Sequence, residues 1–89
     1  MNGYEMNNLS RDAVILFILS KIDQFNGEKE FFEHKYKREF HQVEQEAHSV
    51  KGKENFQLEN DLEDWEFALN SLEYWGNEYL KIKNYAEAA

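Results

Sequence analysis

Apolar residues recur with a helical period in three stretches of this chain, and the stretches are separated by glycine. The first is Leu9, Ala13, Leu16, Phe17, Leu19, Ile22 and Phe25, with Val14, Ile15 and Ile18 between them. It covers more than one face of a helix. A strand over Val14–Leu19 is the competing reading, but Ile22 and Phe25 carry the spacing on through polar residues, which favours a helix. Asn8 or Ser10 suits its N-cap, Asp12 suits the positive end of its dipole, and Gly27 suits a left-handed stop. The second stretch is Phe32, Tyr36, Phe40, Val43, Ala47 and Val50, spaced 4, 4, 3, 4 and 3. At 100° per residue these six fall in a sector about 80° wide. The third is Leu58, Leu62, Trp65, Leu69, Leu72, Gly76 and Tyr79, flanked by Ala68, Trp75 and Ile82.

The pattern predicts helices over about residues 9–26, 28–51 and 55–85, with a flexible leader at 1–8 and a tail at 86–89. Gly52 ends the second helix in the turn Lys51-Gly52-Lys53-Glu54, and Asn55 caps the third. Lys81 and Lys83 suit the negative end of the third helix dipole. Two long rods joined by a short turn are expected to lie antiparallel with coiled-coil-like packing. The expected fold is therefore all-α: a single domain made of a long antiparallel hairpin and a shorter N-terminal helix. That first helix either closes a three-helix bundle or, through Ile15, Leu16, Leu19 and Ile22, enters a homodimer.

Composition narrows the function. The 89 residues include no cysteine and no proline, so thiol chemistry, disulfides and zinc–thiolate sites are excluded, and nothing interrupts long helices. A 42% apolar and 16% aromatic content is enough for a core. The apolar run Ala13–Leu19 has seven residues, far short of the roughly 20 that span a bilayer. Neither a basic segment before this run nor a small-residue cleavage site after it marks a signal peptide, so no membrane association and a cytoplasmic location are expected.

The net charge of −8 is uneven. Residues 55–89 hold 8 acidic and 2 basic groups, a balance of −6, with no basic residue between Glu54 and Lys81. Glu59, Glu63, Glu66 and Glu73 form one stripe on the third helix, and none has Lys or Arg four residues later. Beside the stripe, roughly opposite the core seam, lie Phe67, Tyr74 and Tyr85, with Phe56 near the helix start. Two readings follow: these aromatics cover the first helix or a symmetry mate, or they anchor another protein beside unpaired acid. The second reading names Glu59, Glu63, Glu66, Phe67, Glu73 and Tyr74 as the contact residues and a small basic protein as the partner.

Other chemistry finds no footing. His34, His41 and His48 are seven apart, hence about 10.5 Å from one another along a helix, too far to share a zinc ion. No phosphate loop and no nucleophile with a base beside it is present, so no enzyme activity, cofactor or metal is expected. The basic cluster Lys35-Tyr36-Lys37-Arg38 is flanked by Glu33 and Glu39, and pairs such as Glu33/Lys37 account for it. Nucleic-acid binding by this chain alone is not expected.

Several segments carry a resemblance. Phe32-Glu33-His34-Lys35-Tyr36, Phe40, the run Gly52–Ala68 containing Asp61-Leu62-x-x-Trp65-Glu66-x-Ala68, and Leu72-Glu73-Tyr74-Trp75 resemble small prokaryotic helical proteins encoded beside a short toxin-like protein and regarded as antitoxin-like. The likeness spans about residues 16–80, and it implies a role by gene neighbourhood, as the partner of a toxin-like protein, and no mechanism. Similar proteins carry a Gly-Met-Ser/Thr break after the Lys-Tyr pair. Here Lys37-Arg38-Glu39 follows Tyr36, and all three suit helices, so a continuous second helix is expected.

Overall fold

The computed structural model describes the backbone of residues 3–49 and 56–88 and the side chains of 10–48 and 56–84. Helix α1 spans Gly3–Tyr36, α2 spans Phe40–Ser49 and α3 spans Phe56–Ala88. No strand occurs among the described residues, and the class is all-α. At 1.5 Å per residue α1 and α3 are rods of about 50 Å, and α2 is about 15 Å. Partners along α1 rise in number as those on α3 fall: Phe17 meets Trp75, Phe25 meets Phe67, and Tyr36 meets Asp61. The two rods therefore run in opposite directions, and the molecule measures 64 × 22 × 19 Å.

The division of the helices differs from the expected one. Gly27 does not end a helix but lies inside α1. The expected leader also belongs to α1 from Gly3 onward, which places Asn8 and Ser10 inside the helix rather than at its cap. A mid-helix glycine costs about 1 kcal/mol against alanine. Burial of Phe25 and Phe32 on either side of Gly27 contributes about 1.5–3 kcal/mol each, so the continuous helix wins. The expected tail is helical as far as Ala88, so Lys81 and Lys83 lie upstream of the last turn of α3. The turn around Gly52 and the Asn55 cap lie outside the described residues.

The expected unbroken second helix is interrupted after Tyr36. Lys37 adopts φ 54°, and its N–H donates to the Glu33 carbonyl at 2.8 Å, which is a left-handed C-terminal cap. Glu39 then opens α2. Its carbonyl accepts from the N–H groups of Gln42 and Val43, while its own N–H donates to Gln42 Oε1 at 3.3 Å. This is the reaching-back half of a capping box. Arg38 bridges the break by pairing with Glu46.

The break turns α2 back onto α3. Phe32 from α1, Phe40 and Val43 from α2 and Trp65 from α3 form one buried cluster, against which Tyr36, Leu58, Leu62 and Leu69 pack. Trp65 is 1% exposed. Its ring stacks on Phe32 and Tyr36 at 5.7 and 5.8 Å, and Phe40 meets it edge-on at 5.5 Å. Of the second expected stripe, Phe32, Phe40 and Val43 are buried and Tyr36 and Ala47 half-buried, shared between two helices instead of one. The side chain of Val50 lies outside the described residues. Of the first stripe, Leu16, Phe17 and Leu19 are exposed. Away from this end only α1 and α3 face each other, with Ile18, Phe25 and Ala68 buried between them. The accessible surface is 7173 Å², whereas a compact monomer of 10.7 kDa is expected to expose about 5,500 Å². The surplus goes with the elongated shape, in which α1 and α2 each pack mainly on α3.

Two substitutions test this description. A Cβ added at Gly27 meets nothing within 4 Å, so Gly27→Ala is expected to raise unfolding stability in urea by about 0.5–1 kcal/mol. If 27 were instead a helix stop in the left-handed conformation, the change would destabilise. Lys37→Gly removes the steric penalty of a side chain at positive φ and is expected to stabilise by about 1 kcal/mol in the same measurement.

Candidate protein-binding surface

The acidic stripe stays in water. Glu59, Glu63, Glu66 and Glu73 are all exposed, and none forms an ion pair among the described residues. Three cations pair elsewhere: Lys35 bonds Asp61, Arg38 pairs with Glu46, and Lys81 meets Glu78 at 3.3 Å. Tertiary packing therefore leaves the stripe as unneutralised as the local sequence does.

The aromatics beside it do two things at once. Phe67 is 62% exposed, yet one edge rests on buried Phe25, with centroids 5.6 Å apart and planes at 72°. Tyr74, 56% exposed, leans edge-on against Trp75 at 4.9 Å, and Trp75 in turn meets Phe17 at 5.6 Å. The reading in which these rings cover the first helix is thus met in part, since Phe67 helps to close the α1–α3 seam. More than half of each ring still faces solvent. Phe56 is exposed too, while the side chain of Tyr85 lies outside the described residues.

The structure adds a residue that the helical pattern did not single out. Phe31, exposed on α1, faces Phe67 across an open groove of ≈ 620 Å³. Gln24, Glu28 and Asp64 line the rest of its rim. The only cue in sequence is the Phe31-Phe32 pair, one ring in the core stripe and its neighbour necessarily outside it.

The residues expected to mediate self-association divide. Ile15 and Ile22 are half-buried and Leu19 is 41% exposed on the same flank of α1. Leu16, 68% exposed, lies about 100° further round the helix at 100° per residue. The histidines are all exposed, and the break at 37–39 puts His34 on α1 apart from His41 and His48 on α2. Among the described residues no cluster of metal-holding side chains forms, and no helix is long and apolar enough to cross a membrane.

The shifted titrations lie away from this surface, where α1 ends beside the start of α3. Lys35 Nζ and the Tyr36 hydroxyl both donate to Asp61 Oδ2 at 2.5 Å. Burial, followed by the hydrogen bond to Asp61 and its charge, pushes the Tyr36 phenol up to about 12. Burial alone would raise Asp61, but hydrogen bonds from Lys35 and Tyr36 and the Lys35 charge outweigh it and hold the carboxyl below its ordinary value. The cluster ties two helices together and offers no acid or base poised near neutrality. Comparison of the chain with protein-family models, with curated proteins and with solved structures finds no match.

The signs of both shifts predict a pH profile. A depressed Asp61 stabilises the fold above pH 4, and that contribution is lost as pH falls through its folded pKa. A raised Tyr36 stabilises below pH 10 and loses its contribution as pH rises towards 12. Melting temperature against pH is expected to lose part of its acid limb in Asp61→Asn and part of its alkaline limb in Tyr36→Phe. Limbs identical to those of the parent protein rule the cluster out as a tie.

Proposed function

We propose that this chain is a non-enzymatic protein-binding module that captures a small basic protein on the outer face of α3. The observation that supports it is the exposed, cation-free stripe Glu59, Glu63, Glu66 and Glu73 beside half-solvated Phe67 and Tyr74. Unpaired acid of this kind raises the association rate of a basic partner and selects against acidic ones. Aromatic rings that are already braced from behind, as Phe67 is by Phe25, lose little conformational freedom on binding and serve as anchors. The resemblance over residues 16–80 supplies the biological form of this reading, an antitoxin-like protein that masks a toxin-like neighbour.

A second reading is a homodimer, and the surplus of accessible surface favours it. A standard interface removes about 800 Å² from each partner, which the surplus would readily supply. Sedimentation across a wide concentration range separates a stable self-dimer from a monomer awaiting a partner.

The direct test is a pull-down with the product of the adjacent gene. Capture is expected, with a steep loss between low and high salt. Phe67→Ala combined with Glu66→Lys is expected to weaken it at least tenfold, and unchanged binding in that double variant means that the wrong face has been chosen.

A further inference from the structure

The groove between Phe31 and Phe67 is walled by two rings and holds two carboxylates between them. Glu28 and Phe31 on α1 and Asp64 and Phe67 on α3 are each three residues apart, so each pair shares a face of its helix. Contact of Phe25 with Phe67 and stacking of Phe32 on Trp65 fix the register that brings the two faces together. The ring walls are 60% and 62% exposed. Both are braced: Phe31 rests edge-on against buried Phe32 at 5.2 Å, as Phe67 does against Phe25. At 100° per residue, Glu28 lies about 60° nearer than Phe31 to the buried side of α1. Asp64 lies about 60° nearer than Phe67 to the buried side of α3. A side chain entering between the rings therefore ends at one carboxylate from each helix.

Nothing within the fold neutralises these two acids. Glu28 and Asp64 are exposed and form no ion pair among the described residues. No cation lines the groove. On the same face of α1, Lys21 sits over the Phe17 ring at 5.5 Å and Lys35 bonds Asp61. Lys29 is turned about 100° from Glu28 and about 160° from Phe31 round the helix.

This lining selects its occupant. An anion would meet two carboxylates. An apolar side chain would cover the rings but take both carboxylates out of water with no partner. A long side chain with an apolar stem and a cationic tip satisfies rings and acids together. Arginine suits the pair better than lysine: its planar guanidinium stacks on a phenyl face, sheds water more easily and has enough N–H donors for two carboxylates at once. A second copy of this chain would bring a net charge of −8 against −8.

We propose that the groove takes an arginine side chain of the basic partner protein, with its guanidinium between Phe31 and Phe67 donating to Glu28 and Asp64. This rests on the reading that the partner is basic, and it names the group on the partner that the surface captures.

The probe is a blocked five-residue peptide of glycine and serine around one central arginine, titrated into the isotope-labelled full chain and followed by backbone amide NMR shifts. Control peptides carry lysine, citrulline or norleucine in the arginine's place. Shifts are expected to concentrate at residues 24–31 and 64–67. Affinity for the arginine peptide is expected to be at least threefold above lysine and tenfold above citrulline and norleucine. Phe31→Ala is expected to weaken it at least fivefold. Glu28→Gln with Asp64→Asn, both at exposed positions, is expected to do the same with helicity by circular dichroism unchanged, which keeps the test sharp where Phe31→Ala disturbs folding. Glu59→Gln with Glu73→Gln, outside the groove, is expected to leave it within twofold.

Lysine, citrulline or norleucine bound as well as arginine overturns the proposal, and so do shifts spread along the whole acidic stripe. Indifference to both Phe31→Ala and the carboxylate pair overturns it too. So does a sedimenting dimer that Arg11→Gln dissociates, because a second copy then fills the groove. If the adjacent gene's product is captured as tightly by the Phe31→Ala and Glu28→Gln/Asp64→Asn chains as by the parent, the groove is the wrong site while the protein-binding reading stands. Selective binding of the arginine peptide without capture of that product upholds the groove and overturns only the neighbour as partner.

Discussion

One indole ring holds the architecture together. Trp65 on α3 meets both other helices, with Phe32 and Tyr36 on α1 stacked against it and Phe40 on α2 edge-on. Stacked and edge-on pairs are each worth about 0.5–1.5 kcal/mol beyond their buried area, so this single residue concentrates several such terms where a small core is scarce. Its position also sets the break. Tyr36 and Phe40 are four residues apart, and the left-handed Lys37 with the Glu39 cap turns the chain so that both rings reach the same indole from different helices.

That dependence explains what the sequence could and could not disclose. The apolar spacing identified Phe32, Phe40, Val43 and Trp65 as core because burial follows the helical period whichever helix carries the residue. The partition into helices was not legible. Gly27 has the local look of a stop, and Lys37-Arg38-Glu39 the local look of a helix. Each preference amounts to about 1 kcal/mol or less, and tertiary burial of Phe25, Phe32 and Phe40 overrides both. The capping reach of Gln42 to Glu39 was present as a spacing of three, but it carries meaning only once the chain is known to turn there.

The candidate surface divides in the same way. Exposure of Glu59, Glu63, Glu66 and Glu73 was legible because it needs only the helix period and the absence of cations four residues on. The double duty of Phe67 was not, since its contact with Phe25 depends on the register between two helices 42 positions apart in the chain. Leu16 was misplaced for a related reason. In a helix apolar nearly all round, period alone does not choose a face, and the register of α3 against Ile18 and Phe25 makes that choice.

Charge is sorted between the faces of the fold. Lys35 on Asp61 and Arg38 on Glu46 neutralise acid where three helices meet and the core is closed. On the outer face of α3, Glu59, Glu63, Glu66 and Glu73 are exposed and have no such counter-charge among the described residues. Spreading the lysines evenly would favour the isolated chain, because like charges on helix surfaces each cost a few tenths of a kcal/mol. The observed distribution keeps that repulsion on the outer face of α3, beside the exposed rings of Phe67 and Tyr74. On the proposed reading, a basic partner would relieve the repulsion and cover the rings in one contact, whereas self-pairing through this face would cover the rings and set acid against acid.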